Sequence, residues 1–268
     1  KAQLLATVFR ATFCSTCFQS VGLFAINVRA YKSNAHSGSR RKHTLCPPRL
    51  DKFSKVSSPE CTPHATAPEL LPCGLPELHK PVLLNEVLTT FKPSTMEVFI
   101  DGTLGLGGHS SAVLEAHNET MKTFLGIDQD TKALELASKR LQSCKHNAKV
   151  ELLHGNFGDL QRHATKIGVQ EGTVDGILLD IGTSSMQLDE AGRGFSFMRD
   201  GPLDMRMDTS APLTAADIVN TWSEDDISKV LWEFGEERRS RLLARRIVEA
   251  RAARPFETTL QLGEVLMG

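Results

Sequence analysis

Apolar positions between residues 96 and 181 switch repeatedly between short uninterrupted runs and a three-to-four-residue spacing, a pattern that predicts strands alternating with helices. Met96-Glu-Val-Phe-Ile-Asp-Gly is a short β-rich run that stops at a glycine cluster, and Ser110 to His117 follows with helical spacing. Thr123 to Asp128 repeats the strand, and Lys132 to Leu141 is an amphipathic helix. Val150 to His154 is a third strand, Leu160 to Ile167 a helical stretch, and Val174 to Ile181 the fourth and most apolar strand. Four strands alternating with helices imply an α/β fold with a parallel, doubly wound sheet.

Outside this repeat the pattern changes. Before it, Pro81 stands at a helix start, with Val82, Leu83, Val87 and Leu88 at helical spacing behind it. After Gly192 only helical segments follow, over Ala215 to Thr221, Asp225 to Phe234 and Glu236 to Arg251, and another helix starts at Thr258. Residues 190–255 therefore read as a helical insertion beside the sheet.

Charge divides the chain. Residues 1–50 carry Lys1, Arg10, Arg29, Lys32, Arg40, Arg41, Lys42 and Arg49 and no acid, whereas the remaining 23 of the 31 basic residues face all 32 acidic ones, a formal charge of −9. An acid-free, Arg-bearing, Ser/Thr-rich start has the composition of a mitochondrial transit peptide, whose positive charge suits import toward a negative matrix. A basic tail for nonspecific RNA binding is the alternative, against which Leu4, Leu5, Val8, Phe9, Phe13 and Phe18 argue. Ser33 to Pro76 is rich in Ser, Pro, Thr and His without periodicity and reads as leader, so the folded part is expected from about Leu78. Five of the 6 cysteines fall in that leader and only Cys144 in the core, which argues for a reducing compartment and against a disulfide framework. Cys14 and Cys17 have a metal-like spacing but no second pair to complete four ligands, and no metal site is expected. No run of eighteen apolar residues is present, so a membrane span is not expected.

Candidate chemistry gathers at the carboxyl ends of the strands, where ligands bind in open α/β sheets. Asp101-Gly-Thr-Leu-Gly-Leu-Gly-Gly-His109 follows a strand and opens a helix, so its glycines let a nucleotide-like ligand approach the backbone. Asp128 ends the second strand, where a carboxylate takes both hydroxyls of an adenosine ribose, in NAD or in S-adenosylmethionine; it also suits a helix N-terminus, a role open to Asp130. Phe157 stands where an adenine face would lie, and equally where core would. Asp180 ends the fourth strand and is the leading catalytic candidate, because an ionised carboxylate is acceptor-only and can take a proton from an exocyclic amine. Arg193-Gly-Phe-Ser-Phe197 interleaves a cation with two aromatics, a surface for a splayed-out base unless both rings are core. Arg238, Arg239, Arg241, Arg245, Arg246, Arg251 and Arg254 form a dense basic stretch suited to phosphates, or to a salt-bridged helix with the nearby glutamates.

Six ordered motifs carry a resemblance: His79-x-Pro-Val-Leu-Leu, Asp101-Gly-Thr-Leu-Gly-x-Gly-Gly-His109, Gly155-Asn-Phe157, Leu179-Asp-Ile-Gly-x-Ser-Ser185 with Gln187-Leu-Asp189, Arg193-Gly-Phe-Ser-Phe197, and Gly201-Pro-Leu-Asp-Met-Arg-Met-Asp208. Together, and with Gly235-Glu-Glu-Arg238, they resemble the bacterial 16S rRNA cytosine-N4 methyltransferase family, and with the leader its mitochondrial branch. The resemblance implies a Rossmann-like class I methyltransferase fold and S-adenosyl-L-methionine as cofactor. It implies cofactor contacts from Gly107, Gly108, His109, Asp128, Phe157, Asp180 and Gln187, and N4-methylation of a cytidine in mitochondrial small-subunit (12S) rRNA, in the matrix, in support of ribosome assembly. Arg193, Phe195 and Phe197 are expected on the RNA side. The domain scheme is a leader over 1–77, a methyltransferase domain over 78–189, the insertion for RNA recognition over 190–255, and the start of a return to the methyltransferase domain over 256–268. The family's strands after Leu266, with their Ser-Phe-His-Ser-type segment, are not in this chain, so a shortened sheet is expected. The usual Asp/Asn-Pro-Pro-aromatic motif of amino-methyltransferases is replaced here by Asp180-Ile-Gly-Thr. A non-catalytic RNA-binding or assembly factor and an NAD-dependent oxidoreductase are the competing readings, the latter silent on the Arg193 to Asp208 segment.

Overall fold

A computed structural model describes residues 22–27, 81–92 and 95–267. Its sheet has five strands, β1 (Gly22–Asn27), β2 (Val98–Asp101), β3 (Thr123–Asp128), β4 (Lys149–His154) and β5 (Gly176–Ile181), in the order β1-β5-β2-β3-β4. β5, β2, β3 and β4 run parallel, the four strands expected from the periodicity. Helices α1 (Leu84–Phe91), α2 (Gly108–Ala116), α3 (Thr131–Ser143) and α4 (Leu160–Lys166) cover its faces.

The interior strands are apolar because helices bury both of their faces. Successive side chains point to opposite sides. Phe99 and Phe124 thus join Phe91, Val113, Leu114, Ala137 and Leu141 in one core, while Ile100, Leu125 and Ile127 join Ala164 in another. Asp175 pins the start of this arrangement, its carboxylate accepting from the N–H of Glu97 at 2.7 Å and of Val98 at 3.0 Å.

β1 lies in the stretch read as leader and was not expected as an element. It pairs antiparallel with β5 along its length, from Gly22 opposite Ile181 to Asn27 opposite Gly176, so the sheet ends there on an antiparallel strand. The remainder of the 1–77 leader lies outside the described residues.

After β5 come α5 (Ser185–Asp189), α6 (Ala215–Thr221), α7 (Glu224–Glu233), α8 (Ser240–Ala253) and α9 (Thr259–Met267). Capping residues set the starts: Thr214 and Asp217 form a reciprocal capping box on α6, and Ser223 caps α7. α8 begins four residues later than the expected Glu236, because Glu236 takes a left-handed conformation (φ 51°) that turns the chain after Gly235. These helices bury a third core of Phe195, Leu203, Met205, Ile218, Leu231, Leu243, Ile247, Phe256, Leu262 and Leu266.

That core corrects the expected boundary. α9 was read as a return toward the sheet domain over 256–268, yet Phe256, Leu262 and Leu266 pack into the helical core. Backbone bonds from Leu203 to Glu257 and from Thr259 to Gly201 close the same unit. Among the described residues no helix is long and apolar enough to cross a membrane.

Leu231 and Trp232 are neighbours with opposite surroundings, 0% and 59% exposed. Leu231→Ala is expected to cost about 2–5 kcal/mol in urea unfolding, and Trp232→Ala less than about 1 kcal/mol. Equal costs would contradict the packing of α7.

Candidate functional site

β2 delivers the chain to a loop stitched to its neighbours: the N–H of Gly102 donates to the carbonyl of Leu178, and that of Leu104 to Ile127. Gly107 then takes a left-handed conformation (φ 74°) and opens α2, which no side chain caps. The first N–H groups of that helix are thus available to an anion. Two close approaches need glycine. A Cβ on Gly108 would collide with the ring of Pro81, which packs against the loop, and a Cβ on Gly102 would meet Leu179 and Phe157. Phe157, half-buried at the start of a single 3-10 turn, therefore walls the loop from the β4 side.

Aspartates gather at the ends of the strands around this loop. Asp101 is 1% exposed and holds the N–H of Thr103 at 3.0 Å and the hydroxyl of Ser110 at 2.5 Å. Burial pushes its carboxyl from an ordinary 3.8 up to about 6, against the lowering effect of those two hydrogen bonds. Asp128 is also raised by burial, countered by the N–H of Asp130 at 2.9 Å and of Gly105 at 2.7 Å. Backbone N–H groups thereby use part of the roughly four acceptor positions of its carboxylate, leaving capacity for a hydroxyl donor.

Asp180 and His109 face each other across the loop, with Oδ2 and Nε2 3.6 Å apart. The Asp180 side chain is 34% exposed and able to meet a ligand, whereas that of His109 is 8% exposed. Neither ring nitrogen of His109 has a hydrogen-bond partner among the described residues. A buried imidazole in that state has acceptor and donor capacity left for a further partner. The N–H of Asp180 donates to the Thr103 hydroxyl at 2.6 Å, which locks β5 to the glycine loop.

The predicted residues thus divide. Gly107, Gly108, His109, Asp128, Phe157 and Asp180 come together around one loop. Gln187 is buried in α5, where its amide accepts from the N–H of Ser184 and donates to Asp130 at 3.3 Å. Arg193 is not the exposed cation expected for RNA. It is 9% exposed, its guanidinium paired with Asp130 and donating to the carbonyls of Arg206 and Met207. Phe195 is 2% exposed in the helical core, leaving Phe197, half-buried, as the ring nearer to solvent. Arg251 is also withdrawn from the basic stretch, since it donates to the carbonyls of Val219 and Trp222.

Asp101 and Asp130 were missed as centres of the site. Asp101 stood in plain view as the strand-end acid before the glycines. Asp130 was foreseen only as a helix cap, a role it fills by accepting from the N–H of Lys132. Among the described residues no cluster of His, Cys, Asp or Glu could hold a metal ion.

Residues 77–268 match the MraW methylase family. A protein named ribosomal RNA small subunit methyltransferase H from Syntrophotalea carbinolica is 49% identical over 188 residues, 70% of this chain and 58% of that protein. Proteins of the same name from Hyphomonas neptunium and Protochlamydia amoebophila are 50% and 52% identical over 188 residues, covering 70% of this chain and 52% and 58% of their own lengths. The chain therefore spans a little over half the length of the curated relatives it matches.

The raised carboxyl of Asp101 predicts a pH dependence of stability. Between about pH 4 and 6 the folded protein keeps this proton while the unfolded chain gives it up, so the native state loses stability as pH rises through that window. Asp101→Asn removes the titration. Its stability relative to the parent should climb from pH 4 to pH 6, by at most about 3 kcal/mol, and stay level above that. A constant difference across this range in thermal unfolding would contradict the assignment.

Proposed function

The chain belongs to the MraW methylase family, and on that premise we propose that it transfers a methyl group from S-adenosylmethionine to the N4 amine of a cytidine in small-subunit ribosomal RNA. The observation that carries the reading is the meeting of His109, Asp128 and Asp180 around one glycine loop, with both nitrogens of His109 unpartnered and buried. Those residues fit the cofactor. The uncapped start of α2 suits its carboxylate, the spare acceptor capacity of Asp128 its ribose, Phe157 its adenine, and Gly107, Gly108 and His109 its methionine part.

The bound cofactor supplies a methyl group already activated on a sulfonium. The protein is left with the amine, whose lone pair is delocalised into the cytosine ring. A carboxylate that accepts an amine hydrogen favours the pyramidal, nucleophilic nitrogen and can receive the departing proton. Asp180 has the exposure and position for this. Alignment of the two reactants is the other contribution, worth about 7 kcal/mol or more when near ideal.

The RNA reading takes a revised surface. With Arg193 and Phe195 internal, Phe197 and the exposed Arg238, Arg239, Arg241 and Arg245 at the start of α8 are the residues proposed to meet bases and phosphates. Arg245 is shared with Glu224 at 3.7 Å. The net charge of −9 over residues 51–268 makes RNA attraction local rather than global. The acid-free basic leader supports the finer part of the proposal, a matrix location, mitochondrial 12S rRNA as substrate and a role in assembling the small subunit.

The test is methyl transfer from labelled S-adenosylmethionine to unmodified mitochondrial small-subunit RNA, with N4-methylcytidine read by mass spectrometry. Asp180→Asn should lower the rate about 100-fold or more. Undiminished product in the variant would remove Asp180 from its role. Absence of product from the parent chain, with RNA still bound, would favour a non-catalytic assembly factor.

A further inference from the structure

Asp130 and Arg193 are 63 residues apart in the chain and form a charge pair closed off from water, at 2% and 9% exposure. Oδ2 of Asp130 accepts from Nη1 of Arg193 at 2.5 Å and from Nε2 of Gln187 at 3.3 Å. Nη2 of Arg193 donates to the carbonyls of Arg206 at 3.0 Å and Met207 at 3.2 Å. In the other direction, the N–H of Asp130 donates to Asp128, whose second oxygen accepts from Gly105. A continuous path of hydrogen bonds therefore runs from the 206–207 loop of the helical unit to the glycine loop.

The pair does what an exposed bridge cannot. Lys132 and Glu190 also join the two units, at 2.8 Å, but in water, where such a pair holds its partners loosely. A buried pair keeps one geometry, because separating it strands a charge in low dielectric. Arg193 also places a positive charge against the carboxylate of Asp130, two residues from Asp128.

We propose that Asp130 and Arg193 are positioning residues that couple the seating of residues 190–208 to cofactor binding at Asp128, each favouring the other. The proposal rests on the reading of Asp128 as the ribose partner. Coupling of this kind is reciprocal. RNA held by the helical unit tightens the cofactor site, and the cofactor steadies the segment that leads into the helical unit.

The experiment uses the full chain and S-adenosylhomocysteine as probe, with affinity from calorimetry and amide hydrogen exchange followed with and without probe. The variant Asp130→Asn with Arg193→Gln removes both charges and leaves none stranded; Lys132→Ala breaks only the exposed bridge. In the parent and in Lys132→Ala the probe should slow exchange in both 102–109 and 190–208. In the double variant binding should weaken about 5- to 100-fold, and slowing should persist in 102–109 but vanish in 190–208. Affinity within about twofold of the parent, or slowing in 190–208 that survives in the double variant, overturns the coupling. Should the double variant fail to fold, Arg193→Lys keeps the charge without the fork that reaches both carbonyls; parental behaviour in both readouts then overturns the proposal. Asp128→Asn is run alongside, since undiminished binding there removes the ribose reading on its own account.

Discussion

Negative charge concentrated at the carboxyl ends of β2, β3 and β5 is the constraint around which the rest of this molecule is arranged. Asp101, Asp128, Asp130 and Asp180 converge where parallel strands stop and a ligand enters. Each is compensated differently. Asp101 is buried, held by Thr103 and Ser110, and pushed up to about 6. Asp128 is held by backbone N–H groups, Asp130 by a buried guanidinium, and Asp180 is left half open beside an unpartnered imidazole. Coupling is proposed for Asp130 and chemistry for Asp180.

Much of this was legible beforehand because it is local. Interior strands such as Gly176-Ile-Leu-Leu-Asp-Ile announce themselves by apolarity, and α3 by Ala133, Ala137 and Leu141 spaced four apart. The ends of the strands then place the loop residues with little freedom, so Gly107, Gly108, His109, Asp128 and Asp180 fell together as expected. Arg193 was misread for the opposite reason. A cation between two aromatics has the same local appearance on an RNA surface and in a buried joint, and what decides is an acid 63 positions away. The same holds for α9, whose apolar face carries no mark of which core it enters.

The helical unit is accordingly more than an appendage. Arg193 with Asp130, Lys132 with Glu190, and His154 with Asp208 at 3.5 Å all join it to the carboxyl ends of the strands. The glycines of the linking segment let it fold closely on itself: a Cβ on Gly194 would strike the carbonyl of Pro202, and one on Gly201 that of Ala191. On the proposed reading, an element that presents RNA to a methyl donor must be held near that donor, and the joint lies at the carboxyl ends of the strands.

The central claim is that the glycine loop with Asp128 is a site for S-adenosylmethionine rather than for a nicotinamide dinucleotide, which shares the same loop and acid. Equilibrium binding of labelled S-adenosylmethionine to the full chain, with S-adenosylhomocysteine and NAD as competitors, tests this most directly. The account predicts saturable binding to one site, displaced by S-adenosylhomocysteine and untouched by NAD. Displacement by NAD, or no binding of S-adenosylmethionine to folded protein, would contradict it.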